Sequence, residues 1–284
     1  MTASETLSLR FANCQYTALA DERATLDIVL PMIAEAVEEG AEMICLPECA
    51  TRIEPNRQSL VANSQTQDQS QSLKTLQHTA KSYGCWLMIG SLMLRAQDHD
   101  DRMVNRCFLI QPDGQIRAHY DKIHMFDVEV NDGQKYRESQ TFDRGHEAVL
   151  VDMGGWRLGL TICYDLRFPH LYRQLAKAGA DVITIPAAFT QVTGEAHWHP
   201  LMRARAIENG VFIVSPAQCG THAGGRQTYG HALMVDPWGK VLNDAGDGQA
   251  VTCATLDFKV IKKAQAAIPS LDNSAAEEIS LKIF

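Results

Sequence analysis

None of the eight cysteines belongs to a C-x-x-C pair, and they are scattered from Cys14 to Cys253. This excludes the common cysteine zinc sites and argues against a disulfide framework, which a chain of this size does not need. Most lie inside apolar runs, as Cys45 and Cys107 do, and read as free, buried thiols of a reducing compartment. Positive charge is scarce. Lys and Arg number 26 against 34 Asp and Glu, a formal net charge of −8, so no basic surface favours nucleic acid. No apolar run approaches the ~18 residues of a membrane span. The first residues show neither the basic segment nor the apolar stretch of a secretory leader. A cytoplasmic protein with no nucleic-acid or membrane partner is expected. Low-complexity linkers, composition breaks and internal repeats are also lacking. The 284 residues therefore predict one domain, although a prior of ~150 residues per domain allows two.

What is there alternates between strand and helix patterns. Residues 7–14 read as a strand. Leu26, Leu30, Ile33 and Val37 predict a helix over 22–39, with Gly40 as its stop and Pro31 as a kink or interruption. A short apolar strand, 43–46, runs into Pro47-Glu48. Leu73, Leu76, Ala80 and Tyr83 mark a second helix, closed by Gly84. Strands follow over 86–94 and 103–111, and a hairpin turns at Pro112-Asp113-Gly114. Residues 127–144 are polar and without periodicity. Strands over 149–152 and 156–163, a helix over 169–178, a strand over 182–185 and a helix over 201–209 come next. Strands over 211–217, 231–236 and 250–256 complete a layered α/β domain with mixed sheets, spanning 1–258. Residues 259–284 read as a C-terminal tail able to contact a partner subunit.

Three reactive side chains stand at strand ends: Glu48, Lys122 and Cys163. Ligands of α/β sheets bind in the crevice beyond such ends, so the three can converge on one pocket. Taken singly, each has an ordinary explanation: a loop acid, a solvated lysine, a small core thiol.

Their contexts carry more. They are Leu46-Pro47-Glu48, Tyr120-Asp121-Lys122-Ile123-His124-Met125-Phe126-Asp127-Val128 and Thr161-Ile162-Cys163-Tyr164-Asp165-Leu166-Arg167-Phe168-Pro169, with intervals of 74 and 41 residues. These, with Glu138-Ser139, the segment from Gly194 to Trp198, the segment from Arg203 to Glu208 and Asp236-Pro237-Trp238-Gly239, resemble the nitrilase superfamily of carbon–nitrogen hydrolases. The resemblance covers about residues 5 to 257. It implies a four-layer α-β-β-α sandwich that works without metal or organic cofactor and assembles as a homodimer or higher homo-oligomer. It also implies Cys163 as nucleophile, Glu48 as general base, Lys122 as the cation beside the oxyanion and Glu138 as a second acid; Glu129 fits that last position less well.

The chemistry is coherent on its own terms. A thiol near its free pKa needs an adjacent base, and a carboxylate serves if burial or a second acid raises its pKa, a pressure Glu138 would exert on Glu48. Attack on an amide carbonyl creates an oxyanion, for which Lys122 and the backbone N–H of Tyr164 are candidates. Phe189, Thr190 and His197 follow a strand end and are candidates to line the substrate pocket. Arg167 either binds a substrate carboxylate or pairs with Asp165. His197, His199, His222 and His231 are read as hydrogen-bonding or packing residues. The His197-Trp198-His199 pair has no acid or cysteine at ligand spacing, so no metal site is expected. The strings from Ala217 to His222, Gly225-Arg226 and from Thr228 to His231 resemble the deaminated glutathione amidase and ω-amidase branch. His199 departs from that branch, whose members often carry Glu there. The branch implies a small carboxylate-bearing amide as substrate, deaminated glutathione first. A nitrilase or N-carbamoyl amidohydrolase with the same three residues, and an inactive binding homologue, are the alternatives.

Overall fold

A computed structural model describes residues 8–97, 101–130, 135–272 and 282–283. The chain opens with β1 (Ser8–Gln15), α1 (Glu22–Glu38) and β2 (Met43–Cys45). Then come α2 (Arg57–Asn63), α3 (Gln71–Tyr83), β3 (Trp86–Arg95), β4 (Met103–Ile110) and β5 (Ile116–Asp121). The polar stretch supplies β6 (Asp127–Glu129), β7 (Lys135–Arg137) and β8 (Phe142–Asp143). β9 (Val149–Asp152), β10 (Arg157–Leu160), α4 (Pro169–Lys177), β11 (Val182–Thr184), α5 (Gln191–Asn209) and β12 (Phe212–Ser215) form the second half. β13 (Cys219–Thr221), β14 (Gln227–Tyr229), β15 (Leu233–Val235), β16 (Val241–Asp244), β17 (Ala250–Asp257) and α6 (Lys259–Ala267) end it.

Two mixed sheets result, with strand orders β17-β1-β2-β3-β4-β5 and β9-β10-β11-β12-β15-β16. Each repeats one pairing pattern: an antiparallel edge, two parallel pairs, then two antiparallel pairs. This likeness has no counterpart in a sequence repeat. Strand alternation then builds the layers. Phe11, Met43, Met88 and Leu109 face one core with Leu158, Phe212 and Val214. Ala12, Ile44, Leu87 and Phe108 face the other, against Val29, Ile33 and Leu76 of α1 and α3. With α4 and α5 on the far side of the second sheet, the layers are α-β-β-α.

α1 starts at Asp21, whose carboxylate accepts from the Ala24 N–H at 2.7 Å. Its buried stripe is Leu26, Val29, Ile33 and Ala36. Pro31 does not interrupt it. The proline lies on the exposed face, where the carbonyl it leaves unpaired can be solvated. Pro200 is tolerated for the same reason, so α5 begins ten residues before the predicted 201. Residues 259–267 are helical rather than irregular, and Ile261 is buried in the core. The rest of the expected tail, beyond residue 272, falls mostly outside the described residues.

Gly90 couples the sheets at the site. It sits at a register shift in β3, and a Cβ there would lie 2.2 Å from the Leu46 carbonyl oxygen and 2.4 Å from Pro186 Cβ. Both neighbours lead into site residues. Gly90→Ala is expected to cost about 1–3 kcal/mol or more by overpacking. Calorimetry should show a lowered Tm together with reduced turnover; an unchanged Tm contradicts the expectation.

Candidate active site

Glu48 is carried past the end of β2 by Leu46, whose N–H bonds the Met88 carbonyl at 2.8 Å. The residue is only 4% exposed. Oε2 accepts the Ala188 N–H at 2.9 Å, and Oε1 accepts Lys122 Nζ at 2.9 Å and Asn105 Nδ2 at 3.0 Å. Lys122, just past β5, also donates to both oxygens of Glu138, at 3.0 and 2.9 Å. Glu138 is held in turn by the Phe126 N–H at 2.7 Å and Asn105 Nδ2 at 3.2 Å. One buried ammonium thus sits between two carboxylates.

Cys163 begins a short 3-10 turn, Cys163–Arg167, after β10. Its φ of 47° is in the left-handed region, a strained setting for a residue with a Cβ. Its N–H bonds the Pro186 carbonyl at 2.9 Å. The turn is locked by Asp165, which accepts from the Ile162 N–H at 2.8 Å, Tyr120 Oη at 2.7 Å, the His124 N–H at 3.1 Å and His124 Nδ1 at 2.6 Å. Tyr120 and His124 flank Lys122, so this acid ties the lysine strand to the cysteine turn. The thiol lies close enough to Glu48 to feel its charge.

Electrostatics set the resting protonation state. Burial pushes the Cys163 thiol up, and the neighbouring Glu48 charge pushes it further. Burial also works to raise Glu48, but the charge and hydrogen bond of Lys122 outweigh it and hold the carboxyl below its usual range. Burial opposes the Lys122 ammonium, yet Glu138 and Glu48 raise it well above its ordinary value. The site therefore rests as thiol, carboxylate and ammonium. The expected rise in Glu48 from Glu138 does not occur, because Lys122 Nζ stands between the two acids. The acid limb of kcat/KM is expected below pH 4.5, the ordinary value that Glu48 undercuts. Stability contributed by this carboxylate is present above that value and is lost as pH falls through the lower folded one. A pH–rate profile with its acid limb above pH 4.5 contradicts this.

A cavity of about 240 Å³ opens onto Glu48, Lys122, Glu138 and Cys163. Tyr164, Phe189 and Thr190 line it as expected from the sequence. Arg167 and His197 do not. His197 is exposed, and Arg167 Nη1 and Nη2 donate to its Nδ1 at 3.3 and 3.2 Å while the guanidinium lies 5.2 Å from the Phe189 ring centre. Nor does Arg167 pair with Asp165, whose oxygens are taken by the donors above. Asn105 and Arg226 were the unanticipated members. Asn105 was legible: it occupies the inward phase of β4 with Met103 and Cys107, and a polar side chain there needs a partner. Arg226 arrives on the loop between β13 and β14. Its Nη2 donates to the Ala188 carbonyl at 2.6 Å, and its guanidinium lies 5.6 Å from the Tyr136 ring centre. Its buried Nε has no hydrogen-bond partner among the described residues.

Fold and site together define a thiol-bearing carbon–nitrogen hydrolase, and the comparisons with known proteins agree. The profile of the family "Carbon-nitrogen hydrolase" matches residues 10–266, so the chain belongs to that family, within the nitrilase superfamily. It is a hydrolase acting on carbon–nitrogen bonds. The chain is 38% identical over 265 residues to a deaminated glutathione amidase of Synechocystis, covering 92% of this chain and 96% of that one. It is 36% identical to the Yersinia enterocolitica deaminated glutathione amidase, covering 84% and 83% respectively. Saccharomyces cerevisiae Nit3, a member of branch 10 of the nitrilase superfamily, superposes with a TM-score of 0.85 at 28% identity, over 96% of this chain and 99% of that one.

Proposed function

We propose that the protein is an amidase for a small carboxylate-bearing amide, working through an acyl-thioester on Cys163. The observation that carries this reading is a buried thiol, carboxylate and ammonium at one wall of a cavity whose other charged lining residues are mostly cations. Arg52, Lys135, Arg137 and Arg226 all line it, against Glu54 and the Lys122-bound Glu138 as the further acids. As the thiol sulfur bonds the amide carbon, its proton passes to Glu48 Oε. The carbonyl oxygen gains charge beside Lys122 Nζ and the Tyr164 N–H, which lies in the first turn of a helix where N–H groups lack intrahelical acceptors. Collapse breaks the C–N bond, and the leaving nitrogen takes the proton from Glu48. Water then gives a proton to the same carboxylate, attacks the thioester and releases the acid product with the thiol restored. Glu138 and Asn105 hold the Lys122–Glu48 pair in register. No step calls on a cofactor.

Arg226, which lines the cavity, is suited to pair a substrate carboxylate. With relatives named deaminated glutathione amidase, deaminated glutathione is the first substrate to try. Purified protein should release ammonia from ω-amides that carry a carboxylate, followed by mass spectrometry of the products. Arg226→Met is expected to raise KM for these about 10–100-fold, the worth of one charged hydrogen bond, with a smaller effect on uncharged amides. Turnover of nitriles or N-carbamoyl compounds alone makes it a nitrilase or carbamoylase. No turnover of any of the three classes overturns the enzymatic reading in favour of an inactive homologue.

A further inference from the structure

His199, His231 and Asp244 come from three separate elements: α5, the loop after β14 and the end of β16. None of them lines the cavity at Cys163. Their potential ligand atoms, His199 Nε2, His231 Nδ1 and a carboxylate oxygen, lie within 4.8 Å of one another. Asp244 Oδ2 is 3.0 Å from His199 Nε2, and Oδ1 is 2.9 Å from His231 Nδ1. Atoms around a tetrahedral ion with bonds of about 2.0 Å stand roughly 3.3 Å apart, so small side-chain rotations complete such a set.

His231 is fixed in advance of any ligand. Its φ is 53°, a left-handed conformation held by Trp198 Nε1 donating to its carbonyl at 2.8 Å and by its N–H bonding the Gly246 carbonyl at 2.8 Å. Its ring stacks on Tyr229 at 4.4 Å. The far nitrogen, Nε2, lies 2.9 Å from Asp247 Oδ1. A carboxylate behind the distal N–H is the usual device that fixes the tautomer of a metal-ligating histidine. It leaves the Nδ1 lone pair facing the Asp244 oxygens. Two lone-pair centres at hydrogen-bond distance need a cation between them, either a proton or a metal.

We propose that His199, His231 and Asp244 bind one divalent transition-metal ion of the zinc class, with Asp247 positioning His231 and solvent completing the coordination. Two imidazoles and one carboxylate favour zinc, cobalt or nickel over magnesium or calcium. The ion would staple α5 to the edge strand β16. Sequence spacing hid the site because the partner of His199 is not His197 but groups 32 and 45 residues further on.

The test uses the full chain carrying Cys163→Ala, so that the active-site thiol cannot take the metal, after treatment with a chelator. Zinc chloride titrated by calorimetry should bind one ion per chain, and cobalt should give the visible bands of a tetrahedral nitrogen–oxygen site. His199→Ala and Asp244→Asn should each weaken binding at least about tenfold, and Asp247→Asn about 10–100-fold although it touches no metal. Zinc should raise Tm in the parent and not in these variants, each first shown to be folded by circular dichroism. Should Asp244→Asn fail to fold, His199→Ala, on a half-exposed helix face, decides. The absence of stoichiometric zinc binding, or binding that His199→Ala leaves unchanged, overturns the proposal and assigns the cation to a proton.

Discussion

Cys163→Ala is expected to lower kcat/KM by at least about 10⁴-fold while leaving the fold in place. Removing a nucleophile from a unit that acts together costs nearly as much as removing the whole unit. The structural cost is small, since one sulfur is lost from a side chain that borders a cavity. The backbone bonds that hold the turn, Cys163 N–H to Pro186 and Ile162 N–H to Asp165, do not involve the thiol. Tm should therefore stay within a few degrees, and that separation of activity from stability is the informative readout. Glu48→Gln makes a sharper companion. Its amide can still accept from Lys122, but the NH₂ must then face the Ala188 N–H that Oε2 now accepts. Steady-state kinetics with a carboxylate-bearing amide measure both variants. Activity within tenfold of the parent in Cys163→Ala would falsify the thioester route and direct attention to water attack or to Cys49, which also lines the cavity.

Lys122→Met should be the most destabilising single change at the site, by about 3–5 kcal/mol at neutral pH. Lys122 is 2% exposed, and its ammonium neutralises two carboxylates at 2.9 Å. Without it, Glu48 and Glu138 are left as like charges joined only through Asn105 Nδ2, and burial with repulsion raises their folded pKa values. An acid with a raised folded pKa binds more protons in the native state, so the variant should regain stability as pH falls. The parent should show the opposite trend from Glu48. Urea denaturation at neutral and mildly acidic pH, with Lys122→Met alone and combined with Glu138→Gln, distinguishes the charge effect from lost packing. If the double variant is no more stable than the single one, the charge account fails.

The layers were legible because apolar runs stop sharply at Pro47 and Ile162; strand ends made Glu48, Lys122 and Cys163 candidates, and the resemblance of their contexts singled them out. Less was legible where the spacing depends on a turn type. Arg167 stands four residues after Cys163, which on an α-helix is the same face. The segment is a 3-10 turn with about three residues per turn, so a four-residue step rotates the side chain by roughly 120° and carries it to His197. Arg226 escaped notice because a loop, not a strand end, delivers it. β6 and β7 are three-residue strands with no buried face to impose a period, so 127–144 read as featureless. α6 buries only Ile261, too little for a stripe. The duplicated sheet pattern is backbone pairing, which many sequences satisfy.

Asp165 reaches its four donors from both halves of the chain, two of them on His124 and one each on Tyr120 and Ile162. Recombination with a relative is therefore constrained. A crossover placed between residues 124 and 162 separates the acid from three of its donors unless both parents share the set. Chimaeras that exchange 120–168 as one block should inherit a working cysteine turn. Those that splice inside it should carry all the named active-site residues and still lack the alignment between lysine and thiol.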